Sequence, residues 1–468
     1  MPATSGAVKV LLATVEIAPW ASEGATADTV AGLARGLVAV GEKAVVAVPD
    51  YPVLSGMRGL ARGRRRVLKL GTPSGTLRGA WTEAESGGLK LALVEKPEFF
   101  DRAGIYGTAG EPYEDNLARF SFFARAVQEI AKAVSADVLH AFDWPGALVA
   151  VWRMLDGVPV TLGLHNFLFQ GDFSTVRFPQ TGLSWDDFGQ FEFYGRGNVL
   201  KAGILSSAAV VLPGARMAYA VRTPGAGCGL EGVAASEESK IHGILSGVDY
   251  NGWIDARSEA GRARKVSARQ SWLASVKLDP LGPEGMLVVC PTGLCSGRGL
   301  DILLPVLDRL MEFPLRVVVL GAPGLAMAPA LQLASLRHPG KFLVDERDDA
   351  SDWHAVCGAA DAVLLPDALE PSDTRLACAM RSGAVPLAQS CPGLREIVQN
   401  HDPAGAPGNG LVFYSHDPEA LWDNFVRAMD LRRAGAWDGL TVRAAAADFS
   451  WEAVAMRHAD LFRHVVQR

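Results

Sequence analysis

Val8-Lys9-Val10-Leu11-Leu12-Ala13-Thr14-Val15 is a continuous β-rich run, the kind a strand shows when both of its faces are covered. A loop containing Gly24 follows. Val30, Leu33, Ala34, Leu37 and Val38 then recur at helical spacing, and Gly41 closes the helix. The next strand is read at 44–48. Strand, helix and strand in this order make a βαβ unit, which implies a parallel sheet. Outward from it, strands are expected at 138–140, 158–164 and 208–212. Pro145 suits the first position of the helix after the first of these. A turn-rich crossing, Gly247-Val-Asp-Tyr-Asn-Gly-Trp253, leads to a charged helix over 259–278. A second βα series follows, with strands at 286–290, 315–320, 341–344, 362–365 and 385–388 and helices at 300–311 and 375–382. The stretch Trp451 to Val466 is amphipathic.

A chain of 468 residues is too long for one ordinary core. The pattern divides it into an N-terminal α/β domain (1–246), a hinge (247–258), a second α/β domain (259–445) and a terminal helix (446–468) returning to the first domain. A net charge of −6 argues against a nucleic-acid binder. The basic run from Met57 to Lys69 is local and reads as a solvated hairpin or loop. The six cysteines show no C-x-x-C pair and no histidines that complete a zinc site, so they read as buried or half-buried thiols of a reducing compartment. No leader and no membrane-spanning stretch is seen, so a cytoplasmic protein without a membrane partner is expected. Asp348, Asp349 and Asp352 sit in an acidic turn without companion ligands, and no metal is expected there.

Ligands of open α/β sheets bind outside the carboxyl ends of the strands. The candidate site residues gather at such places. Asp143 follows His140-Ala141-Phe142, His165-Asn166 follows another strand, and Glu370-Pro371 follows Ala362-Val363-Leu364-Leu365-Pro366.

Several stretches resemble the glycogen and starch synthases. They are Glu16-Ile-Ala-Pro19-Trp, Phe100-Asp101-Arg102-Ala-Gly104-Ile-Tyr106-Gly107, His165-Asn166-Phe-Leu-Phe-Gln170-Gly171, Phe191-Glu-Phe-Tyr194-Gly, Leu200-Lys201-Ala-Gly203, Thr223 to Gly232, Gly243 to Asp249 and Asp448-Phe-Ser-Trp451. The resemblance runs almost end to end. It implies two Rossmann-like doubly wound domains facing an interdomain cleft (the GT-B build), with the C-terminal helix packing back on the N-terminal domain. It also implies retaining transfer of glucose from ADP-glucose to the non-reducing end of an α-1,4-glucan, with no cofactor.

Carried over residue by residue, the resemblance makes Glu370, His165 and Arg298 the catalytic candidates. Asp143, Asn166, Tyr106, Gly24, Ser22, Gly293 and Arg375 are the substrate-binding candidates. Asp143 reads either as an acceptor contact or as a helix N-cap, and Tyr106 either as a stacking residue or as a half-buried loop tyrosine. Asp28 reads as a cap, and Lys201 as a structural partner. The family's first loop carries a lysine and two glycines, whereas here Ser22, Glu23 and Gly24-Ala25 stand there. The second phosphate loop has Gly293 where the family has arginine, and Arg298 keeps the lysine's charge. The third motif reads Glu370-Pro371-Ser372-Asp373-Thr374-Arg375, in which Arg375 offers a replacement cation. Fixed cations stabilise a departing diphosphate, so these changes leave two readings open. One is an active glucosyltransferase. The other is a pseudoenzyme that binds glucan or a partner protein.

Overall fold

The computed structural model describes residues 6–467 apart from 56–58, 73–74, 109, 154–156, 292–298, 322–326, 346–349, 367–373, 391–393, 403–404 and 406. The chain forms two compact units. One runs up to Gly247 and resumes at Ser450; the other is Val248–Phe449. The crossing at 247–258, read from the sequence as a hinge, lies within the second unit from Val248 onward.

In the first unit the described residues form a nine-stranded sheet. Its strands are β1 (Lys9–Ala13), β2 (Lys43–Pro49), β3 (Ala61–Thr72), β4 (Gly75–Ser86), β5 (Leu89–Glu95), β6 (Val138–Phe142), β7 (Val160–Gly163), β8 (Ala209–Leu212) and β9 (Ile241–Gly243). The spatial order is β9-β8-β7-β6-β1-β2-β5-β4-β3. β1 pairs in parallel with β2, Lys9 opposite Lys43, and with β6, Val10 opposite Val138. Leu11, Leu12 and Ala13 have no exposed surface, which explains the unbroken apolar run. The chain winds outward from β1 through β2 to β5, then restarts at β6 on the other side of β1. The crevice between β1 and β6 is therefore the topological switch point, where ligands of this architecture bind.

Two helices frame that crevice. α1 (Ala25–Ala39) follows β1, and α3 (Asp143–Arg153) follows β6; α2 is Asn116–Val134. Pro145 is the third residue of α3 rather than its first. The terminal helix, Trp451–Val466, packs on α1. A methyl group at Gly32 would lie 2.0 Å from Trp451 Cε2, and one at Gly36 would lie 2.4 Å from the Trp451 carbonyl oxygen. The two glycines therefore let the tryptophan sit against the α1 backbone. Arg463 closes the contact by pairing with the buried Glu42.

The basic run at 57–69 leads into β3, an edge strand paired antiparallel with β4. Arg62, Arg65 and Arg66 pair with Asp50, Glu95 and Glu83. Charged side chains on an edge strand also discourage pairing with another chain.

In the second unit the described residues form six parallel strands: β10 (Met286–Pro291), β11 (Leu315–Leu320), β12 (Phe342–Asp345), β13 (Ala362–Leu365), β14 (Val385–Gln389) and β15 (Leu411–Phe413). Their order is β12-β11-β10-β13-β14-β15, so the switch point lies between β10 and β13. The charged helix Glu259–Ser275 is tied to this sheet by buried polar groups. Arg269 pairs with Asp361 at 2.7 Å, and Lys265 donates to the carbonyls of Ala360 and Ser382.

Candidate functional site

Glu16 lies just beyond β1 and is 4% exposed. Its Oε2 accepts the backbone N–H groups of Glu23 at 2.8 Å and Gly24 at 2.9 Å. Its Oε1 accepts the Tyr106 hydroxyl at 2.8 Å. Gly24 is the N-cap of α1 and has no side-chain cap. The N–H groups at a helix start are the ones that would grip a phosphate. Here a carboxylate from the same loop takes the amide of the N-cap and that of the residue before it, and it also suits the positive end of the helix dipole.

Glu23 adds a second link, its Oε1 accepting the Ile105 N–H at 2.8 Å. The 101–107 loop is thus held to the first loop twice, through Glu23 and through Tyr106. The Tyr106 ring packs edge-on against Phe120, with centroids 5.9 Å apart. Burial, with Glu16 close by, pushes its phenol well above the ordinary value. Of the two readings of Tyr106, the geometry favours the half-buried loop residue.

Asp143 stands at the end of β6 with φ of 54°, a left-handed conformation that is uncommon for a residue with a Cβ. Its Oδ2 accepts the Thr26 hydroxyl at 2.6 Å, and its Oδ1 accepts the His165 N–H at 2.9 Å. One carboxylate therefore clasps the segments that follow β1, β6 and β7. Strained backbone held by such bonds is a mark of functional sites. These two bonds leave neither Asp143 oxygen free of a protein partner.

The His165 ring stacks on Phe142, with centroids 6.1 Å apart. Its Nδ1 is buried, has no hydrogen-bond partner among the described residues, and lies 3.9 Å from Asp143 Oδ1. Asn166 is exposed, and its Oδ1 accepts the Leu168 N–H at 2.7 Å, a local turn. Ser22 is exposed, with Oγ 3.4 Å from the Gly24 carbonyl oxygen. Gly24 itself is extended, and a Cβ there would meet nothing closer than Glu16 Oε2 at 3.9 Å.

The structure thus brings Asp143 and His165 together, and Tyr106 and Gly24 together through Glu16. Arg298, Gly293 and Glu370 lie outside the described residues. Arg375 is the second residue of the helix Thr374–Arg381 and lies over the Trp353 ring, 5.4 Å from its centroid. Asp28 is not a cap, because the N-cap is Gly24 and Asp28 lies within the first turn of α1. Lys201 is structural, donating from Nζ to the Glu192 carbonyl. Cys228 is exposed rather than buried, whereas Cys290, Cys357 and Cys378 are buried.

Sequence reasoning missed Glu16, Thr26 and Glu23 as organisers of the site. For Glu16 the signal was present: an acid directly after a buried strand, at the same place in the fold as Asp143.

Residues 9–236 match the starch synthase catalytic domain family. Nearly the whole chain also aligns with glycogen synthases. It is 28% identical to that of Geotalea uraniireducens (strain Rf4), covering 98% of this chain and 99% of the relative. It is 29% identical to that of Koribacter versatilis (strain Ellin345), with 98% of each covered. The chain resembles the glycogen and starch synthases along nearly its whole length. It is a glycosyltransferase of two Rossmann-like domains. Among solved structures, the catalytic domain of starch synthase IV from Arabidopsis thaliana, bound to ADP and acarbose, superposes with a TM-score of 0.75. It covers 99% of this chain and 100% of that one at 24% identity, which speaks for the fold. Sucrose-phosphate synthase from Thermosynechococcus elongatus superposes with a TM-score of 0.53 at 14% identity, covering 98% and 99% of the two chains. No helix among the described residues is long and apolar enough to cross a membrane.

Proposed function

We propose that this glycosyltransferase moves glucose from ADP-glucose to the non-reducing end of an α-1,4-glucan with retention, in the cytoplasm. The observation that carries the reading is the Asp143 clasp at the switch point, which fixes the His165 backbone beside the strained turn. In this reading His165, oriented by Asp143, and Glu370 hold the glucosyl unit. Arg298 stabilises the departing diphosphate, where charge develops only as the bond breaks. Asn166 shapes the loop that carries His165. The full-length likeness to glycogen synthases supports an α-glucan acceptor, and the ADP in the starch synthase IV structure supports the adenine donor.

A second reading is favoured by one specific feature. The amides of Glu23 and Gly24, just before α1, are taken by Glu16, Ser22 replaces the family's lysine, and Glu23 adds an anion beside it. A pseudoenzyme that binds glucan or a partner protein would tolerate this arrangement. Calorimetry with ADP, UDP, ADP-glucose and glycogen separates the two. The transferase reading expects binding of ADP and ADP-glucose, with α-linked product by NMR. Glycogen binding without any nucleotide binding sinks it and leaves the pseudoenzyme.

A further inference from the structure

Three histidines meet at one small cavity in the first unit. It measures about 20 Å³ and is lined by His165 after β7, His140 on β6 and His458 on the terminal helix. Apolar side chains such as Phe142 and Leu212 make up much of the remaining wall. A cavity of this size admits one water molecule, which needs about two to four polar partners to stay.

The proton inventory of the three rings supplies such partners. Thr161 Oγ1 donates to the Leu139 carbonyl oxygen at 3.1 Å, so it accepts from His140 Nδ1, 2.8 Å away. His458 Nδ1 lies 3.1 Å from the Val454 carbonyl oxygen, so the proton of this ring also sits on Nδ1. Burial disfavours the charged form of both rings, holding His140 well below the ordinary value and His458 at about 4. Each neutral ring therefore keeps a bare Nε2, which is an acceptor. His140 Nε2 stands close to Gly163, another wall residue, where a methyl group would approach it to 3.1 Å. His165 offers the complementary group. Its buried Nδ1 has no hydrogen-bond partner among the described residues, and the Asp143 carboxylate 3.9 Å away favours a proton there.

We propose that one water in this cavity donates to Nε2 of His140 and of His458 and accepts from Nδ1–H of His165, so that the two buried histidines are positioning residues that fix the His165 tautomer. The two protons and a lone pair of the water then meet two acceptors and one donor. With its proton held on Nδ1, His165 keeps Nε2 as an acceptor, and the ring takes a hydrogen bond from a substrate hydroxyl instead of giving one. The identity of that substrate rests on the transferase reading; the tautomer does not. The terminal helix thus acts on the site through His458 without touching substrate.

Nitrogen NMR of the full chain, isotopically labelled in its nine histidines, tests this. Protonated and bare ring nitrogens have well-separated shifts, and His165→Gln identifies the His165 signals. The expected wild-type result is a proton on Nδ1 of His165. Two variants break the bridge in different ways. His458→Phe removes one acceptor, and Gly163→Ala sets a methyl against His140 Nε2 while keeping all three histidines. In each, the excess of the Nδ1-protonated form should disappear. The kcat for glucose transfer should fall about tenfold at unchanged KM for glucan, the scale of one hydrogen bond. His458→Gln keeps an acceptor and should restore part of both. A proton on Nε2 in the wild type overturns the proposal. So does a wild-type tautomer ratio in either folded variant, or a changed tautomer with wild-type kcat. If the wild type transfers no glucose yet carries an Nδ1 proton that the variants lose, the proposal stands and the transferase reading falls. If transfer proceeds with the proton on Nε2, the reverse holds.

Discussion

Glu16 and Asp143 do comparable work with different partners. Each is a carboxylate just beyond a strand end, and each gathers donors from other segments. Glu16→Ala strands three donors, two amides and the Tyr106 hydroxyl. A loss of about 3 kcal/mol in unfolding free energy is expected in urea titration. Tyr106→Phe removes one bond from the same group, and about 1 kcal/mol is expected. Equal losses would mean that Glu16 does not organise the loop. For Asp143 the effect belongs to rate. Asp143→Ala releases the Thr26 hydroxyl and the His165 N–H. A fall of about 10²-fold in kcat is expected, the scale of a small misplacement of catalytic groups. Asp143→Asn keeps an acceptor and tolerates positive φ, so it should retain more activity. Wild-type kcat in Asp143→Ala would remove the clasp from the mechanism. From the sequence Asp143 was legible as a residue at a strand end, but its φ and its two partners depend on three chain segments meeting, which no local pattern encodes.

The terminal helix and α1 meet through side chains that are absent as much as through those present. Gly32→Ala would raise helix propensity by about 1 kcal/mol in an exposed helix. Here the new methyl group runs into Trp451. Overpacking costs about 1–3 kcal/mol, so net destabilisation is expected in thermal melts. In a Trp451→Ala background the same change should become stabilising. A loss of stability in both backgrounds would show that the glycine serves something other than the tryptophan. The strands of the two parallel sheets were legible because they are buried on both faces and so run apolar without interruption. The antiparallel extension β3–β4–β5 was not. β3 carries arginines on an exposed edge, and its pairing with β4 follows from register rather than from any apolar run. Arg119 was equally hidden: it is fully buried inside α2, held by carbonyls of Phe99 and Ile105 and by Asn116.

At the scale of the whole molecule, the return of the chain to its first unit buries two histidines. His140 on β6 and His458 on the terminal helix lie with ring centroids 5.6 Å apart, and His165 lies near both. Thr161 Oγ1 donates to the Leu139 carbonyl and so accepts from His140 Nδ1; His458 Nδ1 faces the Val454 carbonyl oxygen. Burial pushes His140 well down and His458 to about 4. The unfolded chain therefore takes up protons at higher pH than the folded one. The stability contributed by neutral His458 is full above about pH 6.5, falls as the pH drops, and is exhausted near pH 4, a loss of about 3 kcal/mol. Urea midpoints measured between pH 7.5 and 4 should fall along this curve, and His458→Gln should flatten it. An unchanged slope in that variant would place the acid sensitivity elsewhere. The paired α/β architecture and the family likeness were legible end to end, because βα alternation and many short motifs are spread over the whole chain. The chemistry of the proposed donor site was not, since Ser22, Glu23 and Gly293 break the family's sequence pattern.

The central claim is that this scaffold still transfers glucose. Incorporation of labelled glucose from ADP-glucose into glycogen tests it most directly, with Arg298→Ala and Glu370→Ala assayed beside the wild type. The account expects incorporation by the wild type and its disappearance in both variants. A wild-type protein that binds glycogen but incorporates no label, at any concentration of ADP-glucose or UDP-glucose, contradicts it.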